Sequence, residues 1–390
     1  MQTLQTFEKA LKDNYLPAWN NQLSTEPSPL LGKVKKIPLK SDKIVASAPI
    51  GLSGGFGYGA EGAATPASGA VRTERFETRS KDMYVNICIS QKAVELGTDS
   101  GAMANALKTE IDGAYETAKW NVGRSLYGNG TGVLTSTKAV NKVADTLELD
   151  DLKNVKAGLI VDVYEGNALK DTVRIIDIDR AAKTAHVKSI KNTGAFTSAA
   201  AGFITVQNSY NREITGLGAI FDEKVTSIYG VEKASNPFIV PIAESAGNDI
   251  NDSVITRVLR LAKNEKNSNV DMILAGDAAY DAYTTYLREN NIRVESMTHT
   301  ITGGFNAIKF AFGNKEIDIV NESFIPDGEM WGVETGKLEL HQKDWKYAQL
   351  QGGGIFNLME NQSVYRALLT NYGELICTNP GGCVRIKDCA

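Results

Sequence analysis

The chain has 390 residues, 42% hydrophobic and 23% charged, ordinary proportions that exclude wholesale disorder and a fibrous repeat and allow two or three packed units. A formal charge of -4 argues against a dedicated nucleic-acid binder, which would carry a basic surplus. No run of about 18 apolar residues offers a membrane span, and no basic segment followed by an apolar run marks a secretory leader.

Leu4, Phe7, Leu11 and Tyr15 are spaced for one face of a short helix, which Pro17, Pro27 and Pro29 are expected to break. Val34, Ile37 and Leu39 then alternate among Lys33, Lys35, Lys36, Lys40 and Lys43. Such a basic run reads first as a solvated strand face and only second as a nucleic-acid contact. Residues 44–71 carry one charge, Glu61, and seven glycines lie from Gly51 to Gly69. The return begins with Arg72, Glu74, Arg75, Glu77, Arg79, Lys81 and Asp82. It then alternates, with Val85, Ile87 and Ile89 on one face and Tyr84, Asn86, Cys88 and Ser90 on the other. The pattern predicts a long hairpin with a flexible tip. A two-stranded ribbon is marginal alone, and ordering roughly 90 residues costs about 1–2 kcal/mol each in backbone entropy. The first ninety residues are therefore expected to be held by other copies of the chain.

Two glycine motifs inside the loop do not carry chemistry. Gly57-Tyr58-Gly59-Ala60-Glu61-Gly62 matches a dinucleotide fingerprint, but Ala63-Ala64-Thr65-Pro66 follows where a helix must open. Gly51-Leu52-Ser53-Gly54-Gly55 matches a nucleophile elbow and lacks its helix as well. His186, His299 and His341 stand in no catalytic pattern. Cys88 reads as a small buried hydrophobe. Cys377, Cys383 and Cys389 lack zinc spacing and read as free thiols, with a later disulfide as the lesser alternative. No catalytic residue, cofactor or metal site is expected.

From Gly101 to Tyr127 the residues Met103, Leu107, Ile111, Ala114, Ala118, Val122 and Leu126 predict an amphipathic helix, capped at Asp99 or Ser100 and stopped at Gly128-Asn129-Gly130. At 1.5 Å per residue it is about 40 Å long. Residues 146–212 change to short β-rich runs, at 157–164, 172–179, 185–190 and 203–207, with a hairpin loop at Asp179 to Lys183. They predict a small inserted β-barrel. A capped helix through Val254, Val258 and Leu261 follows, then a buried strand over 270–275. A second helix from Gly276-Asp277 carries Tyr280, Tyr283 and Leu287. Strands follow at 308–312, 317–320 and 330–333, and a strand-rich end spans 363–387. The layout is α+β with one long helix across a sheet.

The order of these parts resembles the major capsid proteins of tailed bacteriophages of the Hong Kong 97 phage type, over nearly the whole chain. The stretches that carry it are Leu16-Pro17-Ala18-Trp19 with Ser28-Pro29-Leu30-Leu31, Gly59-Ala60-Glu61-Gly62 with Pro66-Ala67, Ser125-Leu126-Tyr127-Gly128-Asn129-Gly130-Thr131-Gly132, Tyr229-Gly230-Val231, and Gly373-Glu374-Leu375-Ile376-Cys377-Thr378-Asn379-Pro380. The resemblance implies the Hong Kong 97-type capsid fold with an N-arm (1–36), an extended-loop hairpin (37–94), a spine helix with peripheral domain (95–134) and the inserted barrel (146–212). An axial domain (213–345), further peripheral strands (346–377) and a C-terminal return to the axial domain (378–390) complete it.

By the same resemblance the chain is no enzyme. It self-assembles into hexamers and pentamers of an icosahedral head around double-stranded DNA, which it touches non-specifically. A portal protein stands at one vertex, with room for separate scaffolding and decoration proteins and no membrane partner. The location implied is the virion, with assembly in the bacterial cytoplasm. Inter-subunit contact candidates are Phe56, Tyr58, Glu61, Arg72, Glu74, Arg75, Glu77 and Arg79 on the loop, with Phe7, Leu11, Tyr15 and Trp19 on the arm. The barrel is not universal in the family. A cleaved or scaffold-bearing N-terminal extension is expected to be absent, and no cross-linking Lys–Asn arrangement is identified. The alternatives are an encapsulin-like nanocompartment shell, a hydrolase or nucleotide-binding enzyme, and a tail or decoration protein.

Overall fold

The computed structural model describes residues 9, 11–49, 54–62, 64–67, 69, 71, 73–92, 100–138, 144–192, 194–197, 200–290, 298–301, 304–349, 354–360 and 362–390. The expectations at Leu4, Phe7, Arg72, Asp99 and Gly51 to Ser53 lie outside these residues, as do the side chains of Met103 and Leu107. The chain divides into two compact units, residues 1–123 with 220–390, and residues 124–219.

A short π-helical stretch, Leu11–Tyr15, runs into α1 (Leu16–Leu23). Pro17 does not break this helix. It sits in the first turn, where its missing N–H has no partner to lose. Ser28 accepts a hydrogen bond from the Leu30 N–H and opens a 3-10 turn at Pro29–Gly32. Four strands follow: β1 (Lys35–Pro38), β2 (Lys43–Pro49), β3 (Thr73–Arg79) and β4 (Lys81–Ser90). Helix α2 covers Ser100–Ser125.

The second unit is a barrel of six antiparallel strands. These are β5 (Val133–Thr137), β6 (Thr146–Glu148), β7 (Ile160–Glu165), β8 (Ala168–Asp179), β9 (Thr184–Ser189) and β10 (Gly202–Val206). They pair in the order β5-β10-β7-β8-β9-β6. The ring closes through a bridge between Thr137 and Leu149, flanked by Lys138 N–H to Glu148 C=O and Asp150 N–H to Ser136 C=O. Closure joins the two outer strands, β5 and β6, and covers their facing edges. Leu147, Val161, Val163, Val173, Ile175 and Ile204 fill the interior. Asp179 accepts from the Ala181 and Ala182 N–H groups, forming the hairpin loop anticipated there. Strands β5 and β6, absent from the sequence reading, supply the closure.

The rest of the first unit begins within α3 (Leu217–Phe221). Then come β11 (Ser227–Ile228), β12 (Val231–Glu232), β13 (Ile242–Ser245), α4 (Asp252–Lys266), β14 (Met272–Ala275) and α5 (Asp277–Glu289). Next are β15 (Thr298–Thr300), β16 (Asn306–Phe312), β17 (Lys315–Asn321), β18 (Met330–Val333) and β19 (Leu338–Gln342). The chain ends with β20 (Lys346–Tyr347), β21 (Phe356–Leu358), β22 (Val364–Cys377) and β23 (Val384–Lys387).

Two sheets organise this unit. The first runs β1-β19-β22-β20, with β4 and β21 also paired to β22. Its ladder between β4 and β22 is ten residues long, from Ser90 opposite Val364 to Lys81 opposite Gly373. Ile111, Ala114, Tyr115, Ala118 and Val122 of α2 pack on it against Met83, Val85, Ile87 and Ile89. The second sheet runs β13-β23-β18-β14-β17-β16-β15. Helices α4 and α5 bury Ile255, Val258, Leu259, Tyr283 and Leu287 against it. Asn251 caps α4 by accepting from the Ser253 and Val254 N–H groups.

Candidate assembly surface

The ribbon expected between residues 37 and 94 divides into two parts. Only β2 and β3 form a free-standing pair, from Lys43 opposite Arg79 to Pro49 opposite Thr73. Strand β4 belongs to the central sheet instead. Burial alternates along β2, and Ile44, Ala46 and Ala48 are buried together with Phe76 of β3 while Val45 is exposed. The ribbon root thus packs on its own chain, which corrects the expectation that nothing in the first ninety residues could.

Toward the tip, residues 54–62 are all exposed. Phe56 is 79% exposed and Tyr58 95%, and their rings meet edge to face at 5.3 Å. Two aromatic rings left in water on a glycine-rich segment form an apolar patch that none of the described residues covers. Glu61 stands exposed at the adjoining turn. Along β3, Arg75 and Arg79 are exposed and Glu74 and Glu77 half-buried. Lys43 Nζ and Arg75 Nε reach Glu77 at 2.6 and 2.7 Å. The Lys43 hydrogen bond holds the Glu77 carboxyl below its ordinary range. Pairs this exposed contribute little to stability and leave their charges open to a partner.

The arm candidates behave differently. Leu11 and Trp19 are 1% and 4% exposed, packed with Ile111, Tyr115 and Trp345 in the core under the first sheet. Both apolar side chains lie in the core of their own chain. Tyr15 packs partly against the same cluster. Asn20 fastens α1 further, donating from Nδ2 to the Trp345 carbonyl at 3.2 Å and accepting from its N–H at 2.7 Å. The sequence offered no signal for that pair, because its members are 325 positions apart.

The basic run is also bound within the chain. Lys33 pairs with Asp318, Lys35 with Glu339 at 2.9 Å, and Lys36 Nζ donates to the Ser24 carbonyl at 2.7 Å. Gly57 to Gly62 carries no helix among the described residues. His186 meets Thr146 Oγ1 at 3.4 Å, His299 meets Asp318 at 3.1 Å and His341 meets Glu339 at 3.4 Å. Cys88 is exposed on the outer face of β4, which corrects its reading as a buried hydrophobe. Strand parity explains the error, because Cys88 alternates with the inward-facing Ile87 and Ile89. Cys377, Cys383 and Cys389 are buried, the first two with sulfurs 3.9 Å apart.

In the second unit, the glycine-rich stretch after α2 meets the segment that follows the barrel. Arg124 donates to Glu213 at 2.5 Å, and the Leu217 N–H donates to the Leu126 carbonyl at 2.8 Å. A Cβ on Gly216 would stand 2.4 Å from the Leu126 carbonyl oxygen. Entering and leaving segments thus touch backbone to backbone, which only glycine permits. No helix among the described residues is long and apolar enough to cross a membrane.

No protein-family model and no curated protein matches this sequence. Among solved structures it is similar to the capsid asymmetric unit of cyanophage A-1(L), at 12% identity and TM-score 0.55, over 93% of both chains. It also aligns at TM-score 0.47 with the holo-SrpI encapsulin complex of Synechococcus elongatus (8% identity, 91% of this chain and 85% of the other). The capsid of a native GTA particle gives the same score (9% identity, 94% and 91%). The first of these assigns the fold. The chain has the Hong Kong 97-type capsid fold, α+β with an inserted barrel.

Proposed function

We propose that this chain is the major capsid protein of a tailed phage, a structural subunit that closes with its own copies into an icosahedral shell around double-stranded DNA. The observation that carries this reading is the ribbon tip, where Phe56 and Tyr58 stand in water, uncovered by the described residues. A fold shared end to end with a capsid subunit supports it.

In this reading the β2–β3 ribbon is the extended loop that lies on an adjacent subunit, α2 is the spine helix, and the seven-stranded sheet with α4 and α5 is the axial domain. The sheet built on β22 is the peripheral domain. The ribbon tip of each subunit meets a different surface on the next, so the contacts are heterologous and close into rings of six and five. Arg75, Glu77 and Arg79 set the register of that contact through charge, while the two rings supply its apolar centre. The N-terminal segment contributes its outer side only, since Leu11 and Trp19 are used within the subunit. A portal protein at one vertex and assembly in the host cytoplasm belong to the same proposal, with the enclosed DNA touched at its phosphates without sequence preference.

The test is electron microscopy of particles purified from their source, with extraction of nuclease-protected contents. Closed shells holding double-stranded DNA are expected. Shells holding a protein cargo would make the chain a nanocompartment subunit, and rings or open tubes would make it a tail protein.

A further inference from the structure

Strand β22 is paired along residues 364–373 by β4, and that ladder stops at Gly373 opposite Lys81. Beyond it, Leu338 to Gln342 of β19 hold residues 373–377 from one side. On the other side of this last stretch the Leu375 N–H donates to Glu374 Oε1 at 3.2 Å, and Tyr229 takes the groups beside it. The Tyr229 hydroxyl donates to the Leu375 carbonyl at 3.2 Å and accepts from the Cys377 N–H at 3.1 Å. One phenol thus takes two of the backbone bonds that a neighbouring strand would make there.

The backbone of the same residue faces the ribbon. Its carbonyl accepts the Glu77 N–H of β3 at 2.9 Å, and its ring lies 5.6 Å from that of Phe76, which is fully buried. Tyr229 and Gly230 form the two-residue turn between β11 and β12, with φ of 50° and 82°. A turn with both central residues left-handed has a fixed twist, and a tyrosine accepts that backbone only at a cost in strain. The strain is sustained by a geometry that aims the ring inward and the carbonyl outward. Tyr229 itself is 6% exposed.

We propose that Tyr229 is the positioning residue of the ribbon, carrying β3 on its carbonyl and ring while its phenol is locked into the open edge of β22. The direction in which the ribbon leaves the body is then coupled through one side chain to the end of the central strand. The consequence for assembly rests on the shell reading above, whereas the coupling itself is a property of the single chain.

The experiment is amide hydrogen exchange on the unassembled full chain. In Tyr229→Phe the ring and the turn remain and only the hydroxyl is lost. Exchange should rise by about tenfold at residues 375–377, as expected when a buried hydrogen-bonding group is deleted, and also at residues 73–79. A rise confined to 375–377 would overturn the proposal, because a purely local hydrogen bond would give that pattern. Coupling is reciprocal, so Phe76→Leu, altered from the ribbon side, should raise exchange at Cys377. No change there would overturn the proposal even if Tyr229→Phe failed to fold. Failure of the wild-type chain to form shells would sink the functional reading and leave this result standing.

Discussion

Replacing Trp19 by alanine separates two accounts of the N-terminal segment. Its indole is 4% exposed, lies 5.5 Å from the Tyr115 ring, and shares a core with Leu23, Ile111, Trp345 and Phe356. Truncating a buried tryptophan costs about 3–5 kcal/mol, within which the ring pair contributes about 0.5–1.5. A loss near 4 kcal/mol is expected, roughly a thousandfold in the folded-to-unfolded ratio at about 1.4 kcal/mol per tenfold. The assay is urea unfolding of the dilute, unassembled subunit followed by circular dichroism, with the barrel's transition fitted separately because two units need not melt together. If α1 were held by neighbouring copies, the isolated subunit would lose less than about 1 kcal/mol. That result would refute the packing argument made here for the segment.

Further predictions concern other links in the same subunit. Glu26 accepts from Lys119 at 3.0 Å and Tyr115 at 3.1 Å, and the Lys119 hydrogen bond holds its carboxyl below the ordinary range. Its contribution is therefore present above the unfolded carboxyl value of about 4.3 and lost as pH falls through the lower folded one. Glu26→Gln should cost less than about 1 kcal/mol at pH 7, since the pair is partly exposed, and the gap should close in acid melts. A gap that persists would contradict the assignment. Among the cysteines, Cys88 alone is exposed, and burial pushes the Cys389 thiol up to about 12. A maleimide at pH 8 should label one thiol in four on the native subunit, at Cys88, and all four in denaturant. Gly216→Ala should destabilise the second unit by about 1–3 kcal/mol, because its methyl would press on the Leu126 carbonyl. An unshifted melt of that unit would contradict the close backbone approach.

What local pattern encodes was legible in the sequence. The α2 stripe through Ile111, Ala114, Ala118 and Val122 packs where its period placed it, and β4 keeps the alternation of Val85, Ile87 and Ile89. Turn chemistry marked the loop at Asp179. Long-range pairing was not legible. Nothing near Ser90 announces that β4 lies beside Val364, and nothing near Asn20 announces Trp345. Strand β6 spans three residues, too short for periodicity to register. Tyr229-Gly230 marks a turn, yet only the fold reveals that its hydroxyl completes β22. At the candidate surface, the low charge and high glycine content of residues 44–71 located the tip, whereas the burial of Trp19 was not legible, because a buried partner can lie anywhere in the chain.

The most direct test of the account deletes residues 51–69 and weighs the product by mass photometry beside the wild-type chain. The wild type should appear as closed particles of shell mass, and the deletion as folded, soluble subunits or small rings that fail to close. Stable wild-type-like shells from the deleted chain would contradict the claim that the exposed ribbon tip joins one copy to the next.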